Sequence, residues 1–126
     1  MANVDVMLAT ARARIGPRVW AEELSLAAAR GALVVDIRPS ELRDRDGALD
    51  GATVVDRNVL EWRLDPTCPH RLEEVNDPSR RVIIVCDEGY ASSLAAAALL
   101  DIGLTNVTDL DGGFQAWRSL DPRRSR

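Results

Sequence analysis

Arg81-Val82-Ile83-Ile84-Val85-Cys86-Asp87-Glu88-Gly89-Tyr90-Ala91-Ser92-Ser93 opens the stretch that decides the fold, and Leu94 to Gly103 completes it. Arg81 to Val85 holds four consecutive β-branched apolar residues. Such a run predicts a strand buried on both faces, because a half-exposed strand would alternate apolar with polar. Cys86 to Tyr90 then reads as a tight loop containing Gly89, and Ala91 to Ile102 as an alanine-rich helix closed by Gly103. Strand, short loop and helix in this order form the unit from which parallel sheets are built.

The flanking sequence repeats the unit. Upstream, Ala32 to Val35 is a second continuous apolar run, preceded by a Glu22 to Arg30 helix that Gly31 stops. Pro17 to Trp20 predicts a short strand. Before it, Val4, Met7, Leu8, Ala11 and Ile15 recur at helical spacing and predict a first helix that lays one face on the core and ends near Gly16-Pro17. Asp44 to Gly51 is charged and glycine-bearing, as a loop is, and leads into the β-branched run Ala52 to Val55, read as a strand. Asp65 to Arg81 carries Pro66, Pro69 and Pro78 and reads as loop with one short helix at most. Downstream, Asn106 to Leu110 is a last strand. Asp111-Gly112-Gly113 turns the chain into a final helix, Phe114 to Leu120, packing Phe114 and Trp117 inward. The alternation predicts an α/β fold in three layers, with a central, mostly parallel five-stranded sheet flanked by helices.

A chain of 126 residues, 46% of them apolar, is long enough for one core and short for two, so a single domain over residues 1–126 is expected, with its core at about 17–120. Sixteen basic and twenty acidic side chains leave a charge of -4, with no general attraction to nucleic acid or to an anionic membrane. The basic end, Arg123-Arg124-Ser125-Arg126, reads as a solvated tail. Asp5, Arg12, Arg14 and Arg18 interrupt the N-terminal stretch, which therefore lacks the apolar block of a signal peptide or a membrane span, and a cytoplasmic protein is expected. The two cysteines, Cys68 and Cys86, have no zinc-ligand spacing, so no metal site is expected. In a reducing compartment they serve packing or thiol chemistry.

Cys86 occupies a telling position. In open α/β sheets ligands sit beyond the carboxyl ends of the strands, and Cys86 lies between a buried strand and a helix. Loop N–H groups and the helix N-terminus can point at its sulfur and favour the thiolate, the reactive form. Position alone leaves a second reading open, a small apolar residue finishing a strand. Gly89, free to take a positive φ, and the hydroxyls of Ser92 and Ser93 favour a formed anion cradle, though each also has an ordinary role in a turn or cap.

Four segments taken together, Leu33-Val34-Val35-Asp36-Ile37-Arg38, Gly47-Ala48-Leu49-Asp50-Gly51-Ala52, Cys86 to Ser92, and Asp111-Gly112-Gly113-Phe114-Gln115-Ala116-Trp117, resemble the successive signatures of the rhodanese superfamily, in its order and over residues 17 to 120. The resemblance implies a sulfurtransferase. Cys86 would attack the outer sulfur of a small-molecule donor, hold it as a persulfide within the loop Asp87, Glu88, Gly89, Tyr90, Ala91 and Ser92, and yield it to a thiol acceptor, small or on a protein. It implies no metal and no organic cofactor.

The chain also departs from the family. Many members place an arginine five residues after the cysteine, which suits anionic donors such as thiosulfate; here that position is Ala91, and Asp87 and Glu88 add two carboxylates beside the sulfur. Arg38 and Arg57 each follow a predicted strand and are candidates for anion-binding support at the Cys86 end of the sheet. Arg38 reads equally as an ion-pair partner of Asp36 or Glu41. Tyr90 either closes the pocket or lies on the neighbouring surface. Cys68 and His70 share the proline-rich loop, where a second thiol would resolve a persulfide only if the loop covered the site. Trp20, Trp62 and Trp117 read as packing, with Trp62 allowed near the pocket. Two other functions compete: a rhodanese-fold binding or regulatory module without sulfur transfer, and a cysteine phosphatase or arsenate reductase. Phosphatase chemistry needs an arginine six positions after the cysteine, where this chain has Ser92.

Overall fold

In the computed structural model, which describes residues 3–121 and 123, two strands form the spine of the sheet. Strand β1 (Leu33–Asp36) runs parallel to β3 (Val82–Val85), with Leu33 opposite Val82 and Asp36 opposite Val85. Both are buried along their whole length. Successive side chains of a strand point to opposite faces, so these strands feed two separate cores. Leu33, Val35, Val82, Ile84 and Cys86 join one cluster; Val34, Ile83 and Val85 join the other.

Helices cover both faces. On the Cys86 face lie α1 (Val4–Arg14), α4 (Leu60–Leu64) and α5 (Ala91–Asp101), contributing Ala11, Leu60, Leu64, Ala95 and Leu99. On the other lie α2 (Leu24–Ala29) and α6 (Gly113–Arg118), contributing Leu24, Ala27, Phe114 and Trp117. The short strand β2 (Thr53–Val54) pairs with the outer side of β1, and β4 (Val107–Asp109) with β3, all in parallel, giving the order β2-β1-β3-β4. Helix α3 (Ser40–Asp46) lies between β1 and β2.

The three-layer parallel architecture is the expected one, with four strands among the described residues where five were expected. The Pro17 to Trp20 segment contributes only a single bridge, Val19 opposite Leu110. Pro17 has no N–H for a ladder, and the carbonyls of Gly16 and Pro17 accept instead from the Thr108 hydroxyl. Three further expectations are corrected. Helix α1 buries only Ala11, while Val4 and Met7 are exposed, so it docks through its C-terminal half. Asp44 to Gly51 is not all loop, since α3 runs to Asp46; none of its residues is buried, so it left no apolar period to read. Trp20 and Trp62 are exposed and pack no core, unlike Trp117. Arg124 to Arg126 of the basic tail fall outside the described residues.

Candidate active site

Cys86 follows β3 directly and is 7% exposed. Two neighbours shape the backbone that leaves it. The carbonyls of Cys86 and Asp87 accept from the N–H groups of Phe114 and Gln115, at 2.8 and 3.0 Å, in the first turn of α6. That approach requires Gly113, because a Cβ there would stand 2.6 Å from the Cys86 carbonyl oxygen. Gly89 takes a φ of +89°, in the region that glycine tolerates. Its N–H donates to the Cys86 sulfur at 3.1 Å and the N–H of Ser92 donates at 3.3 Å. The loop therefore presents two backbone donors to the sulfur, as a site for negative charge requires.

Behind the loop stands a buried polar cluster. Asp109, at the end of β4, is fully buried. One of its oxygens, Oδ2, accepts from the hydroxyls of Ser92 and Ser93, both at 2.7 Å, and from Arg18 Nη2 at 3.1 Å; Oδ1 accepts from Arg18 Nε at 2.8 Å. Arg18 also donates to the Gly89 carbonyl at 2.8 Å, and Arg12 of α1 does the same at 2.8 Å while its Nε reaches Ser93 Oγ at 3.0 Å. Burial disfavours the Arg18 charge, yet the hydrogen bonds and charge of Asp109, with Asp111 and Cys86 adding, raise its pKa above the ordinary arginine value. The Ser92 and Ser93 hydroxyls thus both reach Asp109, and the Ser92 oxygen also lies 3.2 Å from the Cys86 sulfur.

The mouth above Cys86 is a cavity of about 390 Å³ bordered by Ile37, Pro39, Leu42, Tyr90 and Ala91, with Arg57, Asp87 and Glu88 among its polar members. Asp87 is half-buried and tied to Gln115 Nε2 at 2.9 Å; Glu88 is exposed. Tyr90 lies largely on the surface, with the Arg12 guanidinium 5.6 Å from its ring centre. Arg57 borders the mouth and pairs with Glu61 at 2.9 Å. Arg38 also borders the mouth, and its buried Nη1 has no hydrogen-bond partner among the described residues. Its side chain is fully buried, forked onto Asp36, bonded to the Gly47 carbonyl at 2.9 Å and laid on the Phe114 ring at 3.6 Å. The ion-pair alternative with Asp36 is the one the fold adopts. Cys68 and His70 do not line the mouth; the Cys68 sulfur accepts from the His70 N–H within its own turn. A larger groove of about 710 Å³ between α1 and α5 contains none of the Cys86 loop. Among the described residues no group of His, Cys, Asp and Glu is placed to hold a metal, and no helix is long and apolar enough to cross a membrane.

The sequence and the fold that carry this loop are matched in known proteins. The family model of the rhodanese-like domain matches residues 20–120. The chain belongs to the rhodanese-like domain family. Among its relatives, the thiosulfate sulfurtransferase GlpE of Pseudomonas entomophila is 34% identical over 105 residues, covering 83% of this chain and 87% of that protein. GlpE of Pseudomonas fluorescens is 36% identical over 94 residues, covering 74% and 76%. Among solved structures, a Rhodopseudomonas palustris protein described as a possible tyrosine phosphatase superposes with a TM-score of 0.84 at 29% identity, over 95% of this chain and 92% of that one. The human single-domain sulfurtransferase TSTD1 shares the fold, with a TM-score of 0.68 at 22% identity over 84% and 98% of the two chains. All of α1, and Arg18, precede the family match, so Arg12 and Arg18 brace the loop from outside the matched segment.

The sequence reading gave Arg12, Arg18 and Asp109 no role at the site. A carboxylate within the expected strand Asn106 to Leu110 is the one signal that could have found Asp109, because a buried charge demands a partner.

Proposed function

We propose that this protein is a sulfurtransferase that carries sulfane sulfur as a persulfide on Cys86. The observation that supports this most strongly is the convergence of the Gly89 and Ser92 N–H groups on the sulfur of a buried cysteine. In the first half-reaction the Cys86 thiolate attacks the outer sulfur of an organic persulfide, R–S–SH. A new S–S bond forms, the donor's S–S bond breaks, and R–S⁻ leaves with the electron pair. In the second, an acceptor thiolate attacks the outer sulfur and the Cys86 thiolate is the leaving group. Both steps exchange sulfur between sulfurs and consume no cofactor. The acceptor is a thiol, on a small molecule or on a protein. The working form is a free thiol, which suits a reducing compartment such as the cytoplasm.

The mouth supports an uncharged or apolar organic persulfide as donor over thiosulfate. Ile37, Pro39, Leu42 and Ala91 offer apolar surface, Asp87 and Glu88 repel a dianion, Arg38 is paired with Asp36, and Arg57 already has Glu61. Phosphoryl transfer finds no support, because the cradle position it needs for arginine is Ser92, whose hydroxyl is bonded to Asp109.

The test is to incubate reduced protein with thiosulfate, with 3-mercaptopyruvate and with glutathione persulfide ester, and to follow sulfur addition by intact mass spectrometry. Loading is expected on Cys86, absent in Cys86→Ser, and fastest from the ester. Best loading from thiosulfate would overturn the donor assignment. No loading from any donor, with Cys86 still open to alkylation, would leave a rhodanese-fold binding module.

A further inference from the structure

Ser92 sits between two groups that compete for its single proton. Its Oγ is 3.2 Å from the Cys86 sulfur and 2.7 Å from Asp109 Oδ2. A hydroxyl donates once, and an ionised carboxylate only accepts. The Asp109 carboxylate takes two bonds from Arg18, and each of its other side-chain contacts is with a hydroxyl that can donate. Ser93 answers the same oxygen and can do so because its own lone pair takes Arg12 Nε. The Ser92 proton therefore points at Asp109, and its oxygen turns a lone pair toward the Cys86 sulfur.

We propose that Asp109, fixed by Arg18, is a positioning residue that withholds the Ser92 proton from Cys86. Ser92 then accepts from the thiol and faces a thiolate with a lone pair. Among the described residues the Gly89 and Ser92 N–H groups donate to that sulfur, and the Arg18 charge acts on it from farther off.

The arrangement acts differently on the two states of the site. In the empty enzyme the negative charge falls on the sulfur that Ser92 faces. In the persulfide that sulfur becomes a neutral bridge, and the charge moves outward to the added atom. The Ser92 lone pair thus opposes the empty anion and not the loaded one. It also keeps the sulfur strongly nucleophilic, since nucleophilicity falls as a thiol becomes more acidic. The benefit to loading rests on the carrier reading above; the hydrogen-bond arrangement does not.

The sign of one substitution decides the matter. The rate of Cys86 alkylation by iodoacetamide is measured against pH, with Cys68 replaced by Ser throughout. If Ser92 faces the sulfur as an acceptor, Ser92→Ala moves the midpoint to lower pH, by roughly half a pH unit or more. If Ser92 donates to the thiolate, the same change moves it up. A midpoint that rises or stays put overturns the proposal. Asp109→Asn is the second arm. Its amide oxygen replaces Oδ1 opposite Arg18 Nε, and its NH₂ faces the serines, which frees the Ser92 proton for the sulfur. The midpoint should fall by about one pH unit, the size of one hydrogen bond, and the change should vanish in a Ser92→Ala background. No fall, or a fall that persists without Ser92, contradicts the mechanism. Should Asp109→Asn not fold, the Ser92→Ala result stands alone. Persulfide loading of the parent is scored separately, so loss of the carrier reading and loss of the positioning role give different results.

Discussion

Arg38 and Arg18 show how the same residue type serves different ends on opposite faces of one loop. Arg38 neutralises Asp36 in the interior and stacks on Phe114, whereas Arg18 fixes Asp109 and the Gly89 carbonyl behind the sulfur. Removing Arg38 would strand a buried carboxylate, so Arg38→Ala should lower unfolding stability by about 3–5 kcal/mol. A urea titration checks this. A structural role predicts the loss of stability with donor affinity per folded molecule unchanged; a weakened donor affinity at unchanged stability would restore Arg38 as an anion ligand. Cys86, Gly89 and the loop were legible in the sequence because strand, turn and helix lie in one continuous run. The support was not, since Arg18 meets Asp109 from 91 positions away and Arg12 meets Gly89 from 77, distances over which one sequence carries no pairing signal.

At the scale of elements, the site depends on α1, α5, β4 and α6 meeting at the end of β3. Helix α6 grips the loop's first two carbonyls and α1 grips the Gly89 carbonyl through Arg12. Because Arg12 links that carbonyl, Ser93 and the Tyr90 ring, Arg12→Ala should speed amide hydrogen exchange in residues 87–91 while leaving β1 and β3 protected, at a cost on the order of 1 kcal/mol. Unchanged exchange in the loop would mean that α1 is only packed beside it. The sequence revealed β1, β3 and α5 through their apolar runs and β2 through its β-branched residues. It missed α3, which buries nothing, and overread the Pro17 to Trp20 segment, where the Pro17 carbonyl goes to the Thr108 hydroxyl. Trp20 and Trp62 misled for the same reason: residue type suggested burial where only tertiary position decides it.

Across the whole molecule, acidic groups tie the layers together as much as apolar ones. Asp46, at the end of α3, meets Arg45, Gln115 and Arg118, joining that helix to α6. The Arg45 hydrogen bonds first, then Gln115 and Arg118, outweigh its desolvation and hold its carboxyl well below the usual range. A carboxyl whose folded pKa is lowered stabilises the fold above its unfolded pKa of about 4 and ceases to do so as pH falls through the folded value. Asp65 and Asp77, lowered by the N–H groups and hydroxyls of Thr67 and Ser79, act in the same direction. Stability should therefore decline below about pH 4, and Asp46→Asn should flatten that decline; a thermal melt series from neutral to acid pH checks it, and an unchanged acid limb would contradict the role of Asp46. The Cys86 sulfur is the centre of the site, so the most direct measurement follows it through one turnover. The protein is loaded with isotopically labelled sulfur from glutathione persulfide ester, freed of donor, mixed with an excess of a small thiol, and sampled by intact mass. The account predicts label on Cys86 that disappears as labelled persulfide forms on the acceptor, with neither step in Cys86→Ser. Label that never enters, or that enters and cannot be handed on, would contradict it.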